Sequence, residues 1–262
     1  MVDLEAFKKI AVQAAKRGGK ILKAGLQQEI TVSYKEALEI VTNIDTRSEK
    51  AIVTLISRYF PDHQIMAEEG SGRESRSPYK WIIDPLDGTT NFSHRFPFFC
   101  VSIALEVKGR VCLGVIYDPV RRELFSAEKG KGAFLNGLPI QISSVKGLKQ
   151  SLLVTGFSYD IQTDPENTFN HFINFTLNAQ AVRRTGSAAL DLCYVAAGRF
   201  DGFWETKLRP WDIAAGSLIL REAGGRITDF TGGAYSIYED EILATNRKIH
   251  KEMIEILKKK KT

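Results

Sequence analysis

Two aspartates, Asp84 and Asp87, follow a run of apolar residues directly. The apolar run predicts a buried strand, and Pro85 biases Asp84 towards an extended conformation, so we expect the chain to turn there with both carboxylates at the strand end. Gly88 allows the backbone to approach a ligand closely, and Thr89-Thr90-Asn91 can open a helical turn whose free N–H groups attract an anion. The pattern predicts metal ligands beside an anion site, although an ordinary Asp-Pro turn followed by Asp-Gly has the same residues.

Further acids stand at the ends of other predicted elements. Glu68 and Glu69 end the preceding predicted strand, and their carboxylates join the first pair if the two strands are neighbours. Asp212 stands at a predicted helix start, where an N-cap acid is the ordinary interpretation. Five acids at element ends require neutralisation. Mg²⁺ suits such a group, because it binds a few carboxylates together with waters and substrate phosphate.

Four segments of this chain carry a resemblance to a known family. They are, in chain order, Val41-Thr42-Asn43-Ile44-Asp45, Ala67-Glu68-Glu69, Asp84-Pro85-Leu86-Asp87-Gly88-Thr89-Thr90-Asn91-Phe92 and Trp211-Asp212-Ile213-Ala214-Ala215-Gly216. Together they resemble the inositol monophosphatases, which are Mg²⁺-dependent, lithium-sensitive sugar-phosphate phosphatases. The resemblance covers nearly the whole chain.

The resemblance implies two to three Mg²⁺ ions and a set of ligands for them. Glu68, Asp84 and the carbonyl of Leu86 would hold the first ion. Asp84, Asp87 and Asp212 would hold the second, and Glu68 would reach a weaker third through water. These ligands stand on both sides of the Asp84–Asp87 pair along the chain.

The resemblance also implies a direct in-line hydrolysis of a phosphomonoester without a phosphoenzyme. The backbone N–H groups of Gly88 and Thr89 would hold the phosphate, and Asp87 would contribute to the same subsite. Thr89 and Asp45 would orient the attacking water and help to deprotonate it. Asp45 also stands where a helix is predicted to begin, so an N-cap is the alternative interpretation of this residue.

The substrate pocket is implied by residues of the second half of the chain. Glu205 matches the acid that binds substrate hydroxyls, although a surface acid at a strand end is the alternative. The segment Gly186-Ser187-Ala188 matches the lining of the same pocket. Lys35 lies one position out of register with the family's lysine, and Arg183 and Arg184 can pair either with an anionic substrate or across a dimer interface, so the roles of these three basic residues stay open.

Hydrophobic periodicity predicts which elements position these residues. Predicted helices cover residues 4–22, about 46–59, about 166–178, 187–197 and 212–223, with a last one from about 247. Residues 30–42 predict a hairpin, and strands from 65 to 127 predict an antiparallel meander. Strands and helices then alternate, which indicates an α/β layer.

The fold class expected is therefore a combination of α+β and α/β. The resemblance implies a layered α-β-α-β-α sandwich, in which residues 1–142 form an N-terminal α+β half with an antiparallel sheet and most metal ligands. Residues 143–262 would form a C-terminal α/β half that carries Asp212 and the substrate pocket. We expect the two halves to share a packed interface.

Composition excludes several classes of protein. Of 262 residues, 44% are hydrophobic, which supports a folded core, and no apolar run approaches the roughly 18 residues of a membrane span. The three cysteines form no CxxC pair, and the N-terminus is unlike a signal peptide, so we expect a cytoplasmic protein with reduced cysteines. The net charge of +5 depends largely on four lysines at positions 258–261, which form either a solvated terminus or a contact with an acidic partner.

The expected function is hydrolysis of myo-inositol monophosphate to inositol and phosphate, with a small sugar or polyol phosphate as the substrate class and a homodimer as the expected assembly. Alternatives within the family are fructose-1,6-bisphosphatase, histidinol phosphatase and 3′-phosphoadenosine phosphatase activities. An alternative from another class is a protein that binds RNA or transcription machinery through its basic tail and Arg183-Arg184. A recognisable RNA-binding motif is absent from the sequence.

Overall fold

The computed structural model describes residues 4–35, 38–162 and 168–258. Its α-helices are α1 (Glu5–Gly25), α2 (Asn43–Tyr59), α3 (Thr89–Ser93), α4 (Thr168–Asn178), α5 (Ala188–Ala196), α6 (Pro210–Glu222) and α7 (His250–Leu257). Strands β1 (Val32–Tyr34) and β2 (Ile40–Thr42) form the predicted antiparallel hairpin. The predicted start of α4, at about residue 166, and the lysines at 259–261 lie outside the described residues.

The first large sheet follows chain order. It contains β3 (Gln64–Ala67), β4 (Tyr79–Asp87), β5 (Cys100–Val107), β6 (Arg110–Asp118), β7 (Glu123–Glu128), β8 (Ala133–Leu135) and β9 (Leu138–Pro139), each paired with the next. The pairs from β4 to β9 are antiparallel, as the meander prediction requires. The pair β3–β4 is parallel, since α2 precedes β3 and a long loop returns the chain to the start of β4. The prediction of a wholly antiparallel sheet was wrong for this one edge strand.

The second sheet has five strands in the order β11-β10-β12-β14-β13. These are β10 (Leu152–Thr155), β11 (Ala181–Arg183), β12 (Gly202–Thr206), β13 (Arg226–Thr228) and β14 (Glu241–Thr245). Strand β10 pairs in parallel with both β11 and β12, whereas β14 is antiparallel to its two neighbours. The sheet is thus mixed: α4, α5 and α6 join β10, β11, β12 and β13 in succession, and only β14, which follows β13 without a helix, runs antiparallel to its neighbours.

Alternating side chains of the first sheet face two different helical layers. In β4, Ile83 packs in a core shared with α1 and α2, whereas Ile82 packs in a core shared with α5 and α6. The second sheet covers the other side of α5 and α6, and its far face packs against α4 and α7. This order of layers is the predicted α-β-α-β-α sandwich. Among the described residues, no helix combines the length and the apolar content that a bilayer crossing requires.

Helix α1 passes through Gly18-Gly19 without a break, and close packing explains both glycines. A Cβ on Gly18 would lie 2.8 Å from Ile52 and from Ser48 of α2, and a Cβ on Gly19 would lie 2.6 Å from the Tyr117 ring. The glycines therefore allow α1 to approach both α2 and the sheet, which outweighs the roughly 1 kcal/mol that each costs in helix propensity.

Candidate active site

The acids predicted to bind metal converge at one edge of the first sheet. Asp84 and Asp87 lie in β4 on either side of a bulge, and Glu68 follows β3, the parallel neighbour of β4. Asp212 comes from the first turn of α6, so the middle helical layer supplies the last acid. The prediction that β4 ends at Asp84 was wrong, because the strand resumes pairing with β5 at Asp87 after the bulge.

Burial and mutual repulsion disfavour the charged forms of these carboxyls. Burial raises the pKa of Glu68 to about 7 and that of Asp87 to about 6. Burial also raises the pKa of Asp84, with further contributions from the charges of Glu68, Asp87 and Asp212. Burial followed by the charge of Asp87 does the same for the pKa of Asp212. Such a group of four acids carries an excess of negative charge when ionised, and bound cations would relieve the repulsion.

Hydrogen bonds orient three of the four carboxylates through one oxygen each. Asp84 Oδ1 accepts the N–H of Leu86 at 2.9 Å, and Asp212 Oδ2 accepts the N–H of Arg209 at 2.7 Å. Asp87 Oδ2 accepts the Ser187 hydroxyl at 2.6 Å and the Ala189 N–H at 2.8 Å. Outer bonds of this kind are the usual support of metal-ligating carboxylates. The bond to Arg209 also shows that Asp212 is the third residue of α6, not its N-cap as the alternative interpretation has it.

Lys35 supplies a positive charge to this cluster. Its Nζ atom lies 3.1 Å from Glu68 Oε1 and 2.6 Å from Glu69 Oε1. Burial lowers the pKa of Lys35, but the charges of Glu68 and Glu69 outweigh burial and raise it overall. The chain after β1 thus brings Lys35 to the acid cluster, a contact that its position along the sequence does not predict.

The donor set fits Mg²⁺ in residue type and charge, since it consists of carboxylates and a backbone carbonyl. Within the described ranges, however, no three acidic, histidine or cysteine side chains are arranged to hold one ion as they stand. Glu68 contacts the Lys35 ammonium and also hydrogen-bonds with the Asp84 carboxyl, so it lies between the lysine and the aspartates.

Thr89 and Asp45 meet beside this cluster. The Thr89 hydroxyl lies 3.0 Å from Asp45 Oδ1 and 3.0 Å from the carbonyl oxygen of Leu86. Asp45 is completely buried, and burial raises its pKa. Asp45 Oδ2 accepts the N–H of Thr42 at 3.0 Å and also the Thr42 hydroxyl. The N-cap of α2 is Thr42 and Asp45 is the third helical residue, so the expected helix start near 46 and the N-cap interpretation of Asp45 were both wrong.

Gly88 brings the start of α3 close to two other segments. Its φ of 98° lies in the left-handed region, and a Cβ there would lie 3.0 Å from the Phe98 carbonyl oxygen and 3.2 Å from that of Gly186. Thr89 begins α3, as the predicted helical turn requires. The N–H groups of Gly88 and Thr89 thus lie at the junction with the segment 186–188.

A cavity of about 850 Å³ joins these residues to the predicted substrate pocket. Gly186, Ser187, Ala188 and Glu205 line it together with the acids, which is the juxtaposition that the resemblance implies. Burial raises the pKa of Glu205, and any side chain at Gly156 would collide with the Glu205 carboxylate.

The two open arginines differ in position. Arg184 lines the cavity, with its guanidinium carbon 4.0 Å from the centre of the Phe157 ring. Arg183 is exposed on β11 and does not line the cavity. Of these two arginines, only Arg184 can therefore approach a ligand in this cavity.

The wall of the cavity also contains a hydrogen-bonded group, which we call the polar clamp, that the sequence did not predict. Asn91 Nδ2 donates to the carbonyl oxygens of Phe98 and Thr185, both at 2.8 Å, and the Thr185 hydroxyl donates to the buried Asp191. The clamp ties α3 to the segment that precedes α5. Asn91 stands inside the quoted motif, but its partner at 185 is too distant in sequence for a local signal.

Comparison with known proteins agrees with this geometry. The chain matches the inositol monophosphatase family over residues 3–262. It is 44% identical over 258 residues to an inositol-1-monophosphatase of Synechocystis, covering 97% of this chain and 90% of that one. It is 43% identical over 248 residues to the Nus factor SuhB of Pasteurella multocida, covering 94% and 93%. The solved inositol monophosphatase of Anabaena superposes with a TM-score of 0.89 at 44% identity, covering 98% of this chain and 96% of that one. The chain belongs to the inositol monophosphatase family.

Proposed function

We propose that this phosphatase-family protein hydrolyses myo-inositol monophosphate, or a close small polyol phosphate, to the free polyol and phosphate. The contact of Thr89 with Asp45, beside the Leu86 carbonyl and the acid cluster, is the observation that carries the proposal. It places a buried carboxylate against a hydroxyl at the edge of a cavity of suitable size for a small molecule.

The proposed cofactor is Mg²⁺, in two to three ions, held by Glu68, Asp84, the Leu86 carbonyl, Asp87 and Asp212. When bound, Mg²⁺ makes a water more acidic and neutralises developing negative charge. Asp45 would take the proton of that water through Thr89, and the N–H groups of Gly88 and Thr89 would orient the phosphate. Lithium inhibition would follow from competition for these ligands.

Recognition of the polyol is proposed for the other side of the cavity. Glu205 and the backbone of Gly186–Ala188 would bind hydroxyl groups, since a buried carboxylate rejects ligands that leave it unpaired. Arg184 would contact an anionic or ring portion of a larger substrate. Because these residues do not select one ester, fructose 1,6-bisphosphate and other phosphate esters are alternatives to inositol monophosphate.

The test is a phosphate-release panel across inositol, fructose, histidinol and adenosine phosphates, with Mg²⁺ or with excess chelator. We expect release that depends on Mg²⁺, that Ca²⁺ supports poorly because it prefers longer bonds and more ligands, and that is fastest for inositol monophosphate. Asp84→Asn should abolish release, whereas Asp62→Asn, at an exposed position, should not change it. Full turnover in chelator, or no release from any ester, would refute the proposal.

The role in RNA binding or transcription stays a prediction. Relatives carry the name Nus factor, but Arg184 lines the cavity and the lysines at 259–261 lie outside the described residues. The expected homodimer and cytoplasmic location likewise stay predictions.

A further inference from the structure

Helices α1 and α2 present a strongly basic surface to solvent. We call it the basic face, and it consists of the exposed residues Lys9, Lys16, Arg17, Lys20, Lys23, Arg47, Lys50 and Arg58. Four of the α1 residues recur at intervals of three, four or seven positions, so they lie along one side of the helix. Among the described residues of α1 and α2, Glu5 is the only exposed acid, since Asp45 and Glu49 are buried.

The two rows of basic residues form one continuous surface. The helices are antiparallel neighbours, because Gly25 approaches Ile44, Gly18 approaches Ile52, and the Phe7 and Phe60 rings lie 4.9 Å apart. Both helices pack on the same side of the first sheet, which leaves their outer sides exposed together. The row from Lys9 to Lys23 spans about 21 Å at about 1.5 Å per residue.

The positive charge of this protein is concentrated on the basic face. Without its eight residues and the four lysines at 258–261, the chain has 24 basic and 31 acidic residues. The remainder is therefore net negative, and a solvated helix surface with interspersed signs does not explain such a separation. Ion pairs within the described residues lie elsewhere, so the face is not neutralised by the protein itself.

The scarcity of exposed apolar and aromatic side chains on the basic face indicates which kind of partner it binds. Tyr59 is the only exposed large apolar or aromatic side chain among the described residues of α1 and α2. Single-stranded nucleic acid is usually bound with several aromatic side chains that stack on bases, and membrane surfaces with apolar side chains that insert. A flat pair of cationic helices instead suits the regularly spaced phosphates of a duplex.

We propose that the basic face binds the phosphate backbone of double-stranded nucleic acid without reading its bases. This function is independent of the proposed phosphatase, because none of the eight residues lines the cavity. RNA and DNA duplexes should bind with similar affinity, since phosphates are the groups recognised. If about five phosphates are contacted, log K should fall with log salt with a slope of about −4 to −5.

The test measures binding of fluorescent 20-bp RNA and DNA duplexes by anisotropy between 50 and 200 mM KCl, with phosphate release as a check of folding. The variant Lys16→Gln, Lys20→Gln, Lys50→Gln should weaken binding tenfold or more and reduce the salt slope by about 3. Its charge-matched control, Lys108→Gln, Lys129→Gln, Lys149→Gln at exposed sites outside the face, should change affinity less than twofold. Phosphate release should stay unchanged in both.

Several results would overturn the proposal. Equal weakening in the control would indicate an effect of overall charge, and weakening only after the lysines at 258–261 are changed to glutamine would assign binding to the tail. Tighter binding to a single-stranded 20-mer than to either duplex would contradict backbone recognition of a duplex. Sedimentation with vesicles containing phosphatidylserine, lost in the basic-face variant while duplexes fail to bind, would assign the face to membranes.

Discussion

Replacement of Asp45 by asparagine separates a proton-accepting role from a helix-capping role. In the structure, Asp45 Oδ2 accepts the N–H and the hydroxyl of Thr42, and Oδ1 accepts the Thr89 hydroxyl. The asparagine oxygen can keep the Thr42 bonds, and its NH₂ group can donate to Thr89, whose hydroxyl then donates to the Leu86 carbonyl at its present 3.0 Å. The free energy of unfolding should therefore change by less than about 1 kcal/mol.

Catalysis should respond differently, because an amide cannot accept the proton of the attacking water. Loss of a general base lowers kcat by roughly 10²- to 10⁴-fold, which corresponds to about 3 to 5 kcal/mol of transition-state stabilisation. The assay is phosphate release at saturating Mg²⁺ and substrate, with urea unfolding of the same preparations. KM should change little, since Asp45 bonds to the Thr89 hydroxyl and not to the N–H groups of Gly88 and Thr89 that are proposed to hold the phosphate.

Asp45→Ala is the matched control. It removes the bond to the Thr42 N–H as well as the charge, so stability should fall by about 1 to 3 kcal/mol while kcat falls as in Asp45→Asn. Serine is a poorer probe, because a short side chain at the third helical position does not reach back to Thr42. If Asp45→Asn turns over at close to the normal rate, Asp45 only caps α2 and the base is another group.

Three further predictions concern other parts of the molecule. Burial lowers the pKa of His250 from 6.5 to about 4, so its neutral form stabilises the fold fully above pH 6.5 and this stabilisation is lost as the pH falls towards 4. The free energy of unfolding in urea should therefore fall by up to about 2 kcal/mol between pH 7 and 5, and His250→Gln should abolish this loss. Asn91→Asp replaces a donor to carbonyl oxygens by an acceptor and should lower stability by at least about 2 kcal/mol, a result that an unchanged urea midpoint would contradict. In α4, the exposed Phe169, Ile173 and Leu177 form an apolar row beside the edge strand β11, and we expect a second copy of the chain to cover this row. In analytical sedimentation, Ile173→Glu should convert a dimer to a monomer. A monomeric wild-type protein would refute this prediction.

Local patterns were sufficient to predict most elements and the convergence of the first acids that we propose as metal ligands. The spacing of Asp84, Asp87 and Gly88 lies within one strand and turn, and Glu68 follows from the adjacency of β3 and β4. The capping box of α2 was also readable, because Thr42-Asn43-Ile44-Asp45 has the hydroxyl and the acid at the required spacing. With Asp45 interpreted as the N-cap, the predicted start of α2 lies about three residues after its observed start at Asn43.

Local sequence patterns do not predict contacts between segments that are distant in the sequence. Asp212 and Glu205 stand more than 100 residues from Asp84. Asp212 joins the other acids in the prediction only because it stands at an element end, and Glu205 joins the site only through the family resemblance. Hydrophobic periodicity does not indicate the partners of Lys35 and Asn91. Lys35, which follows β1, bonds to Glu68 after β3, and Asn91 of α3 bonds to the carbonyl oxygen of Thr185 before α5. The bulge in β4 also has no local signal apart from Pro85, and a proline at this position is equally typical of a strand end.

The two walls of the cavity come from different parts of the fold, which explains why the reaction is easier to predict than the substrate. Most acids and the Thr89–Asp45 pair lie at the first sheet, whereas Glu205, Arg184 and the 186–188 segment belong to the second sheet and α5. Asp87 bridges the two, because its carboxylate accepts bonds from Ser187 and Ala189. Changes in the second wall could alter which ligand fits the cavity while the bonds to Asp87 keep the acid cluster in place. Similarity across the whole chain therefore indicates the phosphatase chemistry of the family, and the few side chains of the second wall would determine which phosphate ester is accepted.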